Sequence, residues 1–212
     1  SVLEVVSIIR QKGCKAYLDN RIVLSSAPAD MKVLPVSALS EKCDLIIPDA
    51  PFKHEKRGYC WWEYSDNFRK KGILPEKTLR EIQQSTTFLE KSIPSEGQII
   101  VGGFSQGAAM AQIMLLSDIA DRISGLILLG TRAIIETKLR GALRILNPVP
   151  VLWMPGKSDE IIPFDEAGSL PDILEDENWN VTRITHEKGH VIPLEHHENI
   201  AEFIKEILSD SA

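Results

Sequence analysis

The sequence predicts one α/β domain over residues 1–212, with a mainly parallel central sheet and helices on both faces. Short β-rich apolar runs alternate with segments of helical period, and most of the runs end in or are followed by Gly, Pro, Ser or Asp. Several of these runs are apolar throughout, as buried parallel strands are. With 212 residues, 43% of them hydrophobic, the chain can bury one sizeable core. These three observations together favour a single layered domain.

Eight segments have the composition of β-strands. They are residues 3–9, 15–18, 21–24, 44–47, 98–102, 124–129, 149–154 and 181–185. The first three follow one another without an intervening helix, which favours an antiparallel beginning of the sheet. The segment 48–74 is long and lacks a clear period, as is typical of a loop or cap near a ligand site.

Three segments have the apolar period of helices. The first begins after Pro75, because proline is favoured at helix starts, and the second follows Gln106. The third begins near Glu195. Its apolar face comprises Ile200, Phe203, Ile204, Ile207 and Leu208, at the i, i+3, i+4 spacing of an amphipathic helix.

Composition and charge exclude several classes of protein. The net charge is −6 with no basic stripe, which argues against nucleic acid or an anionic lipid surface as the main partner. The longest apolar runs fall far short of the ~20 residues that span a bilayer, so we expect no integral membrane association. Cys14, Cys43 and Cys60 form no C-x-x-C pair, so neither a disulfide framework nor a cysteine zinc site is expected. We predict a cytoplasmic monomer or weak homodimer.

The strongest chemical signal is the pentapeptide GFSQG at residues 103–107. It directly follows a predicted strand and directly precedes a predicted helix that begins with two alanines. A G-x-S-x-G motif between a strand and a helix is typical of a nucleophile elbow, a turn so tight that glycines must flank the serine. The motif therefore predicts Ser105 as a nucleophile. The alternative is a glycine-rich turn with a solvated serine.

A serine nucleophile needs a base to take its proton and a carboxylate to orient that base. After a nucleophile elbow they follow in the order Asp or Glu, then His. The loop after the strand 149–154 carries Asp159, our candidate carboxylate, with Glu160 as a competitor and Asp165 as a more distant one. His190 follows a glycine just before the last helix, and we predict it as the general base.

Residues 186–190 also spell HEKGH, which matches the H-E-x-x-H signature of zinc proteases. That signature requires a helix, because only there do histidines at i and i+4 point the same way. β-branched residues precede this segment, Gly189 interrupts it and Pro193 follows it, so a helix is not expected. We therefore predict no metal site.

With these residues placed, the chain resembles the phospholipase/carboxylesterase family of α/β-hydrolases, which includes acyl-protein thioesterases and small bacterial carboxylesterases. The resemblance runs from about residue 21 to the C-terminus. It is carried by LIIPDAP (45–51), Trp61 and Trp62, GGFSQG (102–107), GKSDEIIP (156–163) and Gly189-His190. The ending GHVIP is also similar to the neighbouring fungal-type serine hydrolases. The resemblance implies an α/β-hydrolase fold and an activity that needs no cofactor.

The family's oxyanion hole is only partly recognisable. In the family one strand ends in His-Gly, and the N–H that follows acts together with the N–H of the residue after the nucleophile. Here the matching strand ends in SSAP at residues 25–28. The resemblance therefore implies the backbone N–H groups of Gln106 and Ala27 as donors, with His-Gly missing. It also places Trp61 and Trp62 at an acyl pocket, although such bulky residues equally fit the core.

The function predicted from these residues is hydrolysis of carboxylic esters or thioesters through an acyl-serine intermediate. The substrate would be a small ester or an acylated protein. The missing His-Gly favours one alternative, a non-catalytic protein of the same fold that binds a ligand or a partner.

Overall fold

The computed structural model describes residues 20–25, 44–54, 58–63 and 74–210. In chain order its strands are β1 (Asn20–Ser25), β2 (Asp44–Ile46), β3 (Phe52–His54), β4 (Gly58–Cys60), β5 (Gln98–Phe104), β6 (Ile123–Leu129), β7 (Val151–Met154) and β8 (Val181–Arg183). Six of them form one sheet in the order β2-β1-β5-β6-β7-β8, and every neighbouring pair is parallel. The predicted α/β fold with its parallel sheet is confirmed.

The predicted strands agree with the observed ones to within two residues wherever the structure describes them. The predicted strands at 3–9 and 15–18 lie outside the described residues, so the antiparallel beginning of the sheet stays a prediction. β1 is parallel to both of its neighbours, β2 and β5. The hairpin of β3 and β4 was not predicted from the sequence, because strands of three residues are too short to show a period.

Five α-helices lie within the described part of the chain. They are α1 (Glu76–Ser92), α2 (Gln106–Met114), α3 (Glu136–Leu143), α4 (Phe164–Asp176) and α5 (His197–Asp210). The apolar period of the sequence predicted α1, α2 and α5. It missed α3, which has only eight residues, and α4, whose interior contains Pro171. None of these helices has both the length and the apolarity that a membrane span requires.

The core lies on both faces of the sheet, because successive strand residues point in opposite directions. Ile99 and Val101 of β5 face the layer that α1 to α4 form, and their cluster includes Leu89 and Leu170. Ile100 lies on the opposite face, where the buried apolar side of α5 covers the sheet. All the strand residues named here are at most 2% exposed. Helices therefore cover both faces, and the described site residues follow the carboxyl ends of the strands between them.

Candidate active site

The predicted site residues follow three strands of the parallel sheet. Ser105 follows β5, Asp159 lies in the loop after β7, and His190 lies in the loop after β8. Because all these strands are parallel, their carboxyl ends meet at one edge of the sheet, which is where open α/β sheets bind ligands. The topology thus brings together three residues that are up to 85 positions apart in the chain.

Ser105 occupies a backbone conformation that few residues other than glycine adopt. Its φ is 56° and its ψ is −119°, and α2 begins at the next residue. Such strain costs about 1–3 kcal/mol and is characteristic of functional turns. The backbone N–H of Ser105 donates a hydrogen bond to the carbonyl oxygen of Leu129 at 2.9 Å, which ties the turn to β6. The turn has the geometry that the G-x-S-x-G motif predicted.

A continuous chain of hydrogen bonds joins the three side chains. Oγ of Ser105 lies 2.9 Å from Nε2 of His190, and Nδ1 of His190 lies 2.6 Å from Oδ2 of Asp159. The side chain of His190 is 16% exposed and that of Asp159 only 1%. This arrangement allows a proton to move from the serine to the imidazole while a buried carboxylate holds the opposite ring nitrogen.

The local turn of the chain explains why Asp159 rather than a neighbouring acid faces His190. Its Oδ1 atom accepts hydrogen bonds from the backbone N–H groups of Ile161 and Ile162, at 2.8 and 2.9 Å. Aspartate side chains often hold turns in this way. The second oxygen remains available to the imidazole. Glu160 and Asp165, the alternatives considered from the sequence, are exposed.

Backbone contacts join the loop of Asp159 to the loop of His190. Lys157 N–H donates to the carbonyl oxygen of His186 at 2.8 Å, and Ser158 N–H donates to that of Lys188 at 3.3 Å. At Gly156 the two loops approach each other so closely that an added Cβ would lie 2.4 Å from the Lys188 carbonyl oxygen. This close approach requires glycine, and it holds the two loops in a fixed relation.

The histidines of the H-E-x-x-H segment have different surroundings. Residues 186–190 are not helical, so the two imidazoles do not lie on one face. His186 is buried, and its ring centroid lies 6.2 Å from that of His196. Burial lowers the pKa of His186, since it disfavours the charged form. In the described part of the chain, no three His, Cys, Asp or Glu side chains are grouped as metal ligands.

The side chain of Gln106 holds the segment that contains Trp61 and Trp62. Its Oε1 accepts the backbone N–H of Trp61 at 3.0 Å, and its Nε2 donates to the carbonyl oxygen of Trp62 at 2.9 Å. Ser85 of α1 donates a further hydrogen bond to the Trp61 carbonyl oxygen at 2.6 Å. From the sequence, only the backbone of Gln106 was predicted to have a role. Nothing in the motif predicts which segment its side chain contacts.

Both tryptophans are buried in the core between the sheet and the layer of α1 to α4. Their predicted role at the acyl pocket stays a prediction. Gln106 is the first residue of α2, and the N–H groups of a first helical turn have no acceptor within the helix. Its backbone N–H therefore has no acceptor within the helix, as an oxyanion donor requires. Ala27, the second predicted donor, lies outside the described residues.

Several solved structures share this fold. The esterase PE8 superposes with a TM-score of 0.67 at 18% identity, covering 89% of this chain and 92% of its own. Acyl-protein thioesterase 2 of Zea mays gives 0.61 at 18% identity, with 89% and 93% covered. The Bacillus cereus carboxylesterase gives 0.59 at 18% identity, with 89% and 87% covered. At these identities the likeness establishes the α/β-hydrolase fold.

No curated protein sequence is significantly similar to this chain. A family model does match, and it covers nearly the whole chain. The model is that of the serine hydrolases described as FSH1, and it matches residues 12–201, which include Ser105, Asp159 and His190. The family match and the neighbouring structures, which include an esterase, a carboxylesterase and an acyl-protein thioesterase, agree with the predicted family of serine hydrolases. The chain therefore belongs to the FSH1 family of serine hydrolases.

Proposed function

We propose that this protein hydrolyses carboxylic esters or thioesters, with Ser105 as nucleophile, His190 as general base and acid, and Asp159 as the group that orients His190. The observation that carries the proposal is the hydrogen-bonded chain from Ser105 Oγ through both ring nitrogens of His190 to Asp159. A serine hydroxyl is a weak nucleophile unless a positioned base takes its proton. The buried carboxylate selects the tautomer in which Nε2 is free to do so.

The reaction proceeds in two halves. Ser105 Oγ attacks the carbonyl carbon while Nε2 of His190 takes the hydroxyl proton, and the resulting oxyanion accepts the N–H of Gln106 and, as we propose, that of Ala27. His190 then returns the proton to the departing alcohol or thiol, which leaves an acyl-serine. In the second half a water molecule gives a proton to His190 and attacks the acyl carbon. The bond from the acyl carbon to Ser105 Oγ then breaks, and His190 returns its proton to Oγ, which releases the carboxylic acid and restores both residues.

We propose an apolar acyl group for the substrate. The loops that carry Asp159 and His190 also bear the exposed apolar side chains of Ile161 and Val191, and exposed Leu194 begins the short 3-10 helix that follows His190. Apolar side chains next to a polar reacting centre are the usual lining of a small-molecule site. The named esterase, carboxylesterase and acyl-protein thioesterase among the neighbouring structures support a small ester or an acylated protein as substrate.

The test is labelling with a fluorophosphonate probe, combined with turnover of p-nitrophenyl esters of increasing chain length. We expect the protein to react with the probe and Ser105→Ala neither to react nor to turn over esters. The control is Ser169→Ala, because Ser169 is exposed on α4 and hydrogen-bonds only to its own helix. A folded wild-type protein that fails to label would overturn the proposal. Binding of ligands without turnover would then favour the non-catalytic alternative.

A further inference from the structure

We infer that Phe104 and Gly130 are positioning residues that hold the imidazole of His190 in line with Ser105. The inference rests on the proposed function, since it explains how the proposed base is oriented. Neither residue is part of the hydrogen-bonded chain. Both lie beside it, at the ends of the two adjacent strands β5 and β6.

The ring of Phe104 packs against the ring of His190. The two ring centroids are 4.6 Å apart, with an angle of 40° between the planes. Phe104 is 5% exposed and belongs to the apolar cluster under α5, so its own position is set by the core. It immediately precedes Ser105. Phe104 and Ser105 are consecutive, so one turn of the chain positions both the nucleophile and the ring against which the base packs.

Gly130 limits the space available to the Phe104 ring. It follows β6 with a φ of 52°, and a Cβ at this position would lie 2.6 Å from Cε2 of Phe104 and 3.5 Å from Cε1 of His190. The backbone cannot easily withdraw, because the N–H of Gly130 donates to the carbonyl oxygen of Met154 at 2.9 Å. Any side chain at this position would therefore displace the phenyl ring, which already contacts the imidazole.

The hydrogen bond to Asp159 fixes only one atom of the imidazole. A ring held at Nδ1 alone can still tilt, and the tilt moves Nε2 away from Ser105. The contact with Phe104 opposes that motion from the side of the sheet. Because a misplacement of about 1 Å near reacting groups can cost about a hundredfold in rate, this contact matters for catalysis without touching the substrate.

The experiment compares Gly130→Ala, Phe104→Leu and the double variant with wild type on a short, soluble ester. We expect Gly130→Ala to lower kcat by about tenfold to hundredfold while KM changes by less than about threefold, since the displaced rings of Phe104 and His190 set the position of the base rather than the binding of the substrate. Phe104→Leu should lower kcat by a smaller factor with the same split. The double variant should have a higher kcat than Gly130→Ala alone, because the shorter leucine leaves room for the new methyl group.

Gly141→Ala is the matched control, because a Cβ on Gly141 of α3 would meet nothing within 4 Å. It should keep wild-type kcat. The inference is wrong if folded Gly130→Ala keeps wild-type kcat, if KM rises as kcat falls, or if the double variant is no better. Should Gly130→Ala not fold, Phe104→Leu alone decides, and an unchanged kcat overturns the inference. A wild-type protein that neither labels nor turns over esters would instead overturn the proposed function itself.

Discussion

Gly156 lies directly against the imidazole of His186, so that a Cβ on the glycine would be only 2.8 Å from Cε1 of the histidine. The two residues form an isolated parallel bridge beyond the ends of β7 and β8. The bridge joins the loop of Asp159 to the loop of His190. Because the two loops carry partners of one 2.6 Å hydrogen bond, their separation determines whether that bond can form.

Gly156→Ala should therefore weaken both stability and turnover. The added methyl group would meet two backbone carbonyl oxygens, of Lys188 and Gly189, which cannot move without opening the bridge. We expect the free energy of unfolding to fall by about 1–3 kcal/mol, as for other overpacked sites, with a lower kcat. Urea denaturation and ester turnover measure the two effects. Gly168→Ala, where the methyl group would meet nothing within 4 Å, is the control, and equal behaviour of the two variants would contradict this account.

The two histidines of the H-E-x-x-H segment should differ sharply when replaced. His190→Ala removes the proposed base, so we expect it to be inactive. His186→Ala removes a buried side chain outside the proposed catalytic set of Ser105, His190 and Asp159, so it should lose stability yet keep at least about a tenth of wild-type kcat/KM. A chelator should leave the wild-type rate unchanged. This expectation would be contradicted if the active protein held one equivalent of metal, and if dialysis against the chelator removed the metal and the activity together.

Gln106→Met should loosen the segment of Trp61 and Trp62 while it keeps the backbone N–H of residue 106. The change leaves one N–H and one carbonyl oxygen of the tryptophan segment without their side-chain partner. We expect a loss of about 1–3 kcal/mol in the free energy of unfolding, together with a lower kcat/KM. Gln83→Met, on the exposed side of α1, is the matched control. If the two variants had the same unfolding midpoint, the hydrogen bonds of the Gln106 side chain to Trp61 and Trp62 would contribute nothing to stability.

Stability should fall as the pH drops below neutrality. Burial is the main cause that lowers the pKa of both His186 and His197 in the folded protein. An unfolded histidine takes up its proton near pH 6.5, while the buried one stays neutral. The contribution of the two histidines to the free energy of unfolding is therefore complete above about pH 6.5, and it is lost as the pH falls from that value to their lower pKa in the folded protein. Urea unfolding at about pH 7.5 and 5.5 measures the loss. His197→Gln should lose less than wild type over this interval, and an equal loss would contradict the assignment.

The sequence by itself determined the local part of the site. The strand, the G-x-S-x-G turn and the following helix are contiguous in the chain, so composition and spacing were enough to predict the Ser105 elbow and α2. Ser105, Asp159 and His190 each follow a predicted strand, and the carboxyl ends of parallel strands meet at one edge of a sheet. Apolar runs encode these elements directly, because burial of such runs drives their formation.

Only the tertiary structure decided which neighbour makes each contact. Asp159 faces His190, 31 positions away, while the adjacent Glu160 is exposed, because backbone N–H groups of the turn hold the Asp159 carboxylate inward. The hydrogen bond between the Gln106 side chain and the backbone N–H of Trp61 joins residues that are 45 positions apart. The helix α4 forms despite Pro171, because its buried face, which includes Leu170 and Leu174, packs on the sheet layer. Such contacts depend on which segments meet in space, and the periodicity of the sequence does not specify these long-range meetings.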